Sequence, residues 1–150
     1  MAAMKPRVSS FCEMLQKRVD DWLATAEARE IPASELYRHL PCLFLFLTRV
    51  ALDARLPEPE RRAVLATLKY VVAPFDLIPE GVVGTSGFRD DLVLAAVAVE
   101  RLFSKVDRGL LLEHWEGEGR PESIAHDVLV AGEAMVGVDL CTALRDWLPA

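Results

Sequence analysis

The chain has 150 residues and a formal net charge of −6, and 52% of its residues are apolar while only 7% are aromatic. This length is typical of one domain with a sizeable core, and a core made mainly of Leu, Val and Ala suits helix packing. The negative charge disfavours nonspecific binding to nucleic acids and to anionic membranes, because both need a basic protein surface.

Cysteine usage and hydropathy predict a cytoplasmic protein. The three cysteines, Cys12, Cys42 and Cys141, are far apart in sequence and form no CxxC pair. This pattern favours buried free thiols in a reducing compartment. We also expect no secretion signal and no membrane span, because no stretch reaches the roughly 18 apolar residues that a spanning helix needs.

The N-terminal part predicts a flexible lead, residues 1–8, followed by a single helical domain, residues 9–150. Ser10 and Glu13 match a capping box, in which two side chains satisfy backbone N–H groups at the start of a helix. Apolar residues at helical spacing then extend the predicted first helix to about Arg29. The opposite face is charged and is predicted to face solvent.

A further helix is predicted from Cys42 to about Ala54, after a short helix capped by Ser34. Its run CLFLFL has strand propensity, but a helix is favoured because no second strand candidate exists to pair with it. Two alternatives stay open for its large side chains. All of them belong to the core, or an exposed one marks a partner-binding patch. These side chains are Leu43, Phe44, Phe46 and Leu47.

The central part predicts two helices joined by a rigid acidic elbow. A proline-containing linker, residues 56–60, leads into a helix that Pro74 ends near Ala73, because the residue before a proline is pushed out of the helical region. Asp76 is placed as the N-cap of a new turn. One apolar stripe of the first helix contains Val64, Leu65, Leu68, Val71 and Val72.

Residues 92–103 predict a buried central helix, because positions 92–99 contain no polar residue and a helix that is apolar all round is buried. Asp90 or Asp91 is predicted to cap it, with both carboxylates at its positive dipole end.

The C-terminal part predicts three more short elements. Asp107 is placed as the cap of a short helix, and residues 116–120 form an acidic loop. Pro121 opens a helix that Gly137 ends or bends, and a last helix follows Asp139.

Ten residues of the central part keep a specific order and spacing: Tyr70, Pro74, Asp76, Leu77, Ile78, Pro79, Glu80, Gly87, Asp90 and Asp91. In this pattern the chain resembles the YkvA-like family of bacterial domains of unknown function, over a core at about residues 60–105. Two departures stand out. Glu80 occupies a position where Asp is usual, and an aromatic residue that often precedes the Asp pair is displaced to Phe88 by the inserted Arg89.

The resemblance implies an all-helical fold and carries no established catalytic activity. Some proteins with this domain look like regulatory adaptors, including ones linked to small Ras-like GTPases in bacterial polarity. We therefore predict an all-α orthogonal bundle of six or seven helices around residues 92–103. Its predicted role is that of a non-enzymatic cytoplasmic adaptor without a cofactor. The partner would be another protein, with a small GTPase or its activating protein as the class that the resemblance implies.

The acidic elbow is the candidate site of the sequence, and three roles are open for it. It can be a rigid structural cap, a docking surface for a partner, or a site for Mg²⁺ or Ca²⁺, since hard cations take several oxygen ligands. The metal-ligand candidates are Asp76, Glu80, Asp90 and Asp91, to which a docking surface would add Pro79 and Phe88. The alternative function is therefore a divalent-metal-dependent enzyme using Asp76, Asp90 and Asp91.

Common catalytic motifs are missing from the sequence. The glycines at 81, 84 and 87 are not followed by the Lys-Ser/Thr pair of a phosphate loop. His39, His114 and His126 belong to no HExxH motif or Cys/His cluster, and each is predicted to be exposed or satisfied by a structural partner. No Ser-His-Asp set is recognisable.

Overall fold

The computed structural model of the chain describes the backbone of residues 5–77 and 86–149, and the side chains of residues 10–72 and 90–149. Every regular element in these ranges is helical, which confirms the all-α prediction. Eight α-helices are present in these ranges, against the six or seven predicted, together with one 3-10 helix. They are α1 Lys5–Leu23, α2 Ala26–Arg29, the 3-10 helix Ser34–His39, α3 Leu40–Ala51, α4 Glu58–Leu77, α5 Ser86–Lys105, α6 Arg108–Leu112, α7 Pro121–Val136 and α8 Val138–Arg145.

The first predicted helix differs from the structure at both ends. α1 begins at Lys5, so Ser10 lies inside the helix and the predicted capping box is wrong. The helix ends at Leu23, and Thr25 caps a separate short helix, α2, by accepting a hydrogen bond from the Ala28 N–H at 3.3 Å. A Thr side chain that bonds the backbone locally competes with helix continuation, which explains the break.

The central helix is confirmed. α5 buries eight apolar side chains in the part of the chain predicted to be its core, and it contacts α3, α4, α6, α7 and α8. The absence of polar residues over positions 92–99 allows burial on every side. These buried residues are Leu92, Val93, Leu94, Ala95, Ala96, Ala98, Val99 and Leu102.

The apolar run of α3 is helical, as predicted, and it belongs to the core. Leu43, Phe44, Phe46 and Leu47 are all buried. The Phe44 ring lies 4.7 Å from the Phe11 ring on α1, measured between centroids. The surface-patch alternative for these four residues is therefore wrong, because helices pack on both faces of α3 and leave no large side chain for a partner.

The two helices around the elbow are longer than predicted. α4 continues through Pro74 to Leu77, because a proline removes one backbone hydrogen bond and can kink a helix without ending it. Asp76 therefore lies in the last turn of α4, and its placement as an N-cap is wrong. α5 begins at Ser86, so Asp90 and Asp91 are its fifth and sixth residues, and neither caps it.

The predicted helix ends at Asp107, Pro121 and Gly137 are confirmed. Asp107 caps α6 by accepting a hydrogen bond from the Leu110 N–H at 3.1 Å. Pro121 opens α7, and Gly137 ends it with a φ of +93°, a left-handed conformation that favours glycine.

All three cysteines are free thiols, but only Cys141 is fully buried. Burial raises the pKa of the Cys12 thiol to about 11.

Helices α7 and α8 approach closely at Gly132. A Cβ atom added to Gly132 would lie 3.0 Å from the Cys141 Sγ. Gly132→Val is expected to destabilise the fold by about 1–3 kcal/mol, because a larger side chain must push α8 away. Chemical denaturation measures the change.

Two further variants separate crowding from helix propensity. Ala134→Val places the same side chain at an exposed position of α7 and is expected to cost little. Adding Cys141→Ala to Gly132→Val is expected to recover part of the loss. Equal destabilisation by the two valine variants would show that close packing at Gly132 is not the cause.

Candidate functional site

An open groove of about 480 Å³ runs along the outer face of α4. Its lining side chains come from α4 and from the segment that follows α8. Two of them are large apolar residues left in solvent, since Leu65 is 41% exposed and Trp147 is 44% exposed. We call this surface the α4 groove, and it is lined by Arg62, Leu65, Ala66, Lys69, Tyr70 and Trp147.

Helical periodicity places the α4 residues of the groove on one face. Positions 62, 65, 66, 69 and 70 follow the i, i+3, i+4, i+7, i+8 pattern of a single helix face. The opposite face packs into the core through Ala63, Val64, Thr67 and Val71. Leu65 was predicted to share the apolar stripe of Val64, but neighbouring helical residues point about 100° apart, and Leu65 faces solvent.

One wall of the groove is held by an aromatic pair. The Tyr70 and Trp147 rings meet edge to face, with centroids 5.3 Å apart and an interplanar angle of 72°. The Tyr70 hydroxyl donates a hydrogen bond to the Asp90 Oδ2 at 2.5 Å. Tyr70, a residue of the α4 groove, is thereby tied to the first turns of α5. Burial and the adjacent Asp90 carboxylate raise the pKa of the Tyr70 hydroxyl, which keeps it a donor.

A second anchor holds the segment that carries Trp147. Arg101 on α5 donates a hydrogen bond to the Pro149 carbonyl, two residues after the tryptophan. The Arg101 Nε also donates to the Glu60 Oε1 at 2.8 Å, and this pair is nearly buried, with side chains 17% and 8% exposed. The position of Trp147 therefore depends on α4 and α5 as well as on α8.

The rim of the groove is basic although the protein is acidic. Arg62 and Lys69 are both exposed, and neither forms an ion pair with another residue of the described part of the chain. They lie seven residues apart, so about 10.5 Å of helix axis separates them. The groove therefore presents two cations beside an apolar floor.

Asp91 follows Asp90 on α5 and is more deeply buried than Asp90. Its side chain is buried, with only 1% of the residue exposed, and its Oδ2 has no hydrogen-bond partner among the described residues. Burial, and then the nearby Asp90, raise the pKa of the Asp91 carboxyl to about 9. Asp91 is consequently neutral at pH 7, and a neutral carboxyl is a poor ligand for a hard cation unless the cation displaces the proton.

The other predicted elbow residues lie partly or wholly outside the described residues. Pro79 and Glu80 fall in the gap at 78–85, and the side chains of Asp76 and Phe88 are not described. Of the four predicted metal-ligand side chains, those of Asp90 and Asp91 lie within the described residues. Among the residues whose positions are described, no group of three or more His, Cys, Asp or Glu side chains could hold a metal ion.

A polar cluster that the sequence did not reveal joins the α3–α4 loop to the end of α6. The Asp53 Oδ2 lies 2.8 Å from the His114 Nε2 and 2.8 Å from the Arg55 Nη2. Arg55 also contacts Glu113 at 3.0 Å. His114 was predicted to be exposed or satisfied by a structural partner, and this partner is Asp53, 61 residues away in sequence. These contacts link the α3–α4 loop to the residues that follow α6.

This cluster makes the stability of the fold sensitive to acid. Hydrogen bonds from Arg55 and His114 hold the pKa of Asp53 well below its usual range. A lowered folded-state pKa stabilises the fold above the unfolded pKa of about 4, and the contribution is lost as the pH falls through the folded value. Asp53→Asn is expected to cost about 2 kcal/mol at pH 7.

The pH dependence checks this cause. The difference in unfolding free energy between wild type and Asp53→Asn is expected to shrink as the pH falls below about 4. Urea denaturation at several pH values measures it. A difference that stays the same at low pH would show that the charge of Asp53 is not responsible.

The α4 residues of the groove fall in a segment that matches a known sequence family. Residues 60–97 match the family described as Protein of unknown function (DUF1232). The chain is also similar to the Uncharacterized protein ORF9 of Methanothermobacter thermautotrophicus, with 22% identity over 121 residues that cover 81% of this chain and 78% of the relative. No solved structure matches the chain.

The matched segment includes α4 residues of the groove and both Asp90 and Asp91. It does not include Trp147, which lies in the C-terminal part of the chain. No helix of the described ranges is long and apolar enough to cross a membrane.

Proposed function

We propose that the protein is a non-enzymatic adaptor or regulator of the cytoplasm that binds another protein through the α4 groove. The observation that carries this proposal is the exposure of two large apolar side chains, Leu65 and Trp147, in the lining of one open groove. Protein interfaces are enriched in aromatic residues and in Arg, and tryptophan is among the commonest residues that dominate binding energy.

Hydrogen bonds to the side chain of Tyr70 and to the segment after Trp147 make the groove a rigid surface for binding. Tyr70 is held by Asp90, and the segment after Trp147 is held by Arg101. A surface whose side chains are already ordered loses less conformational entropy on binding. The resemblance to YkvA-like domains adds a first partner class to test, a small Ras-like GTPase or its activating protein.

Site-specific photo-crosslinking in the native cell tests the proposal. The crosslinking amino acid p-benzoylphenylalanine is placed at Leu65 in the groove, and in a matched control at Val130, which is exposed on α7. We expect a defined protein to be crosslinked from position 65 and not from position 130. The crosslink should be lost when Trp147→Ala is added.

The outcomes of this test are distinct. Equal products from positions 65 and 130 would reflect random collisions and would overturn the groove as the binding site. A product at position 65 that survives Trp147→Ala would leave the tryptophan without a role in binding. Mass spectrometry of the product decides whether the partner is a GTPase or a GTPase-activating protein.

The alternative function is a divalent-metal-dependent enzyme that uses Asp76, Asp90 and Asp91. The buried Asp91 Oδ2 favours it, because this oxygen lacks a hydrogen-bond partner among the described residues. A cation bound to the folded state raises the melting temperature by mass action. Thermal unfolding with Mg²⁺ or Mn²⁺ tests this alternative, with Asp91→Asn as the control variant. A melting temperature that the ions do not change would remove it.

A further inference from the structure

Two helix faces of this protein carry the same spacing with opposite charges. On α4, cations occupy positions 62 and 69, with Ala66 between them and Tyr70 beside them. On and just after α8, carboxylates occupy positions 139 and 146. Ala143 lies between these acids, and Trp147 lies beside them. The spacing is the same in both faces. Counted from the first charged residue, the alanine follows after four residues, the second charged residue after seven and the aromatic residue after eight.

Both faces are available at the surface. Arg62, Lys69, Asp139 and Asp146 are exposed, and none of them forms an ion pair within the described part of the chain. The two faces lie side by side in one molecule, since Trp147 contacts Tyr70. Leu140 on α8 is also exposed, which adds apolar area next to the acids.

We propose that a second copy of this chain docks here, with α4 of each copy packed along α8 of the other. The dimer has twofold symmetry, because one patch that contains both a basic and an acidic helix face is complementary to itself. Arg62 and Lys69 of one copy then pair with Asp139 and Asp146 of the other, and the Ala66 and Ala143 positions let the helices approach closely. The dimer itself does not depend on the proposed adaptor function, and only its effect on the access of a partner rests on that function.

Helix packing favours this occupant over an extended peptide or a membrane. The backbone N–H and C=O groups of α4 are engaged within the helix, so a strand lying on it would find no backbone partners. A helix satisfies its own backbone groups and needs only side-chain contacts. Anionic membranes are recognised by clusters of about four to eight basic residues, and this rim has only two cations in an acidic protein.

The dimer would cover the same groove that the proposed function uses. Leu65 and Trp147 would then be buried between two copies, and another protein could bind only by displacing one of them. Dimerisation would therefore regulate access to the groove, with mass action setting the balance between the two complexes.

Charge reversal in both directions tests the proposal by analytical ultracentrifugation of the purified chain. We expect wild type to dimerise. Arg62→Glu with Lys69→Glu, and separately Asp139→Lys with Asp146→Lys, are each expected to raise the dimer dissociation constant by at least about tenfold, since like charges then face each other in place of the ion pairs. Arg29→Glu with Arg38→Glu reverses two exposed cations elsewhere and is expected to leave the dimer intact.

Mixing the two reversed chains provides the decisive measurement. In the mixed dimer the acidic α4 face meets the basic α8 face, and the two unchanged faces meet each other. The mixture is therefore expected to restore dimers that neither variant forms alone, which also shows that both variants are folded. Circular dichroism and thermal unfolding confirm folding independently.

Three outcomes would overturn the proposal. They are a wild-type chain that stays monomeric up to roughly 1 mM, reversed variants that dimerise as tightly as wild type, and a folded mixture that does not dimerise. The crosslinking experiment at position 65 distinguishes failure of the dimer proposal from failure of the adaptor proposal. A product with twice the mass of the chain supports self-association, whereas a different protein with a monomeric chain supports the adaptor alone.

Discussion

The Asp91→Asn variant is expected to unfold with a free energy that depends much less on pH than that of the wild-type chain. The wild-type carboxyl has its pKa raised to about 9 in the folded state, first by burial and then by Asp90. Its ordinary unfolded value is about 3.9. Between these two values the folded chain holds a proton that the unfolded chain releases.

The direction in which the unfolding free energy changes with pH follows from this difference in bound protons. Unfolding releases a proton between about pH 4 and 9, so the free energy of unfolding of the wild type falls as the pH rises through this window. The slope for one proton is about 1.4 kcal/mol per pH unit. Asparagine does not titrate, so Asp91→Asn is expected to gain about 3–4 kcal/mol relative to wild type between pH 5 and 8.

Urea denaturation at pH 5, 6, 7 and 8 measures this effect. Asp127→Asn removes an exposed carboxyl from α7 and serves as the matched control, with little change in slope expected. If the curves of wild type and Asp91→Asn run parallel, the folded chain ionises Asp91 at ordinary pH. In that case water or a cation reaches the carboxyl, and the metal alternative gains support.

The second large effect is expected at the nearly buried ion pair of Glu60 and Arg101. Their side chains are 8% and 17% exposed, and their Oε1 and Nε atoms are 2.8 Å apart. Removing one partner leaves the other as an uncompensated charge with little access to water. Glu60→Ala is therefore expected to destabilise the fold by about 3 kcal/mol.

A double-mutant cycle separates the pair from its individual members. Glu60→Ala with Arg101→Met removes both charges, and its cost is expected to be clearly less than the sum of the two single costs. Arg101→Met should also disturb Trp147, because Arg101 donates to the Pro149 carbonyl. The indole N–H signal of Trp147 in NMR spectra reports this. Additive costs would show that the pair contributes no coupling energy.

Local sequence patterns predicted the helices well where one physical signal dominated. The apolar run at 92–99 allowed only a buried helix, and α5 is the buried centre. Helix ends in the C-terminal part were also predicted correctly, at Asp107, Pro121 and Gly137. Side-chain capping, a proline at a helix start and a glycine in a left-handed conformation depend only on neighbouring residues.

The predictions failed at the two helix ends next to the elbow. Pro74 was expected to end α4, yet the helix continues to Leu77. Asp90 and Asp91 were expected to cap α5, yet the helix begins at Ser86. Prolines and acids near helix ends set a preference of a few kcal/mol at most, and contacts with the rest of the fold can exceed it.

The sequence by itself determined the helical class, the central position of α5 and the elements that flank it, because these follow from the period and composition of short segments. Only the tertiary structure decided that Trp147 stands beside Tyr70, that Asp53 bonds His114, and that the side chains of α3 belong to the core. Each of these depends on which helix faces meet across long stretches of chain. That choice is made by the packing of the whole fold, and no single segment contains it.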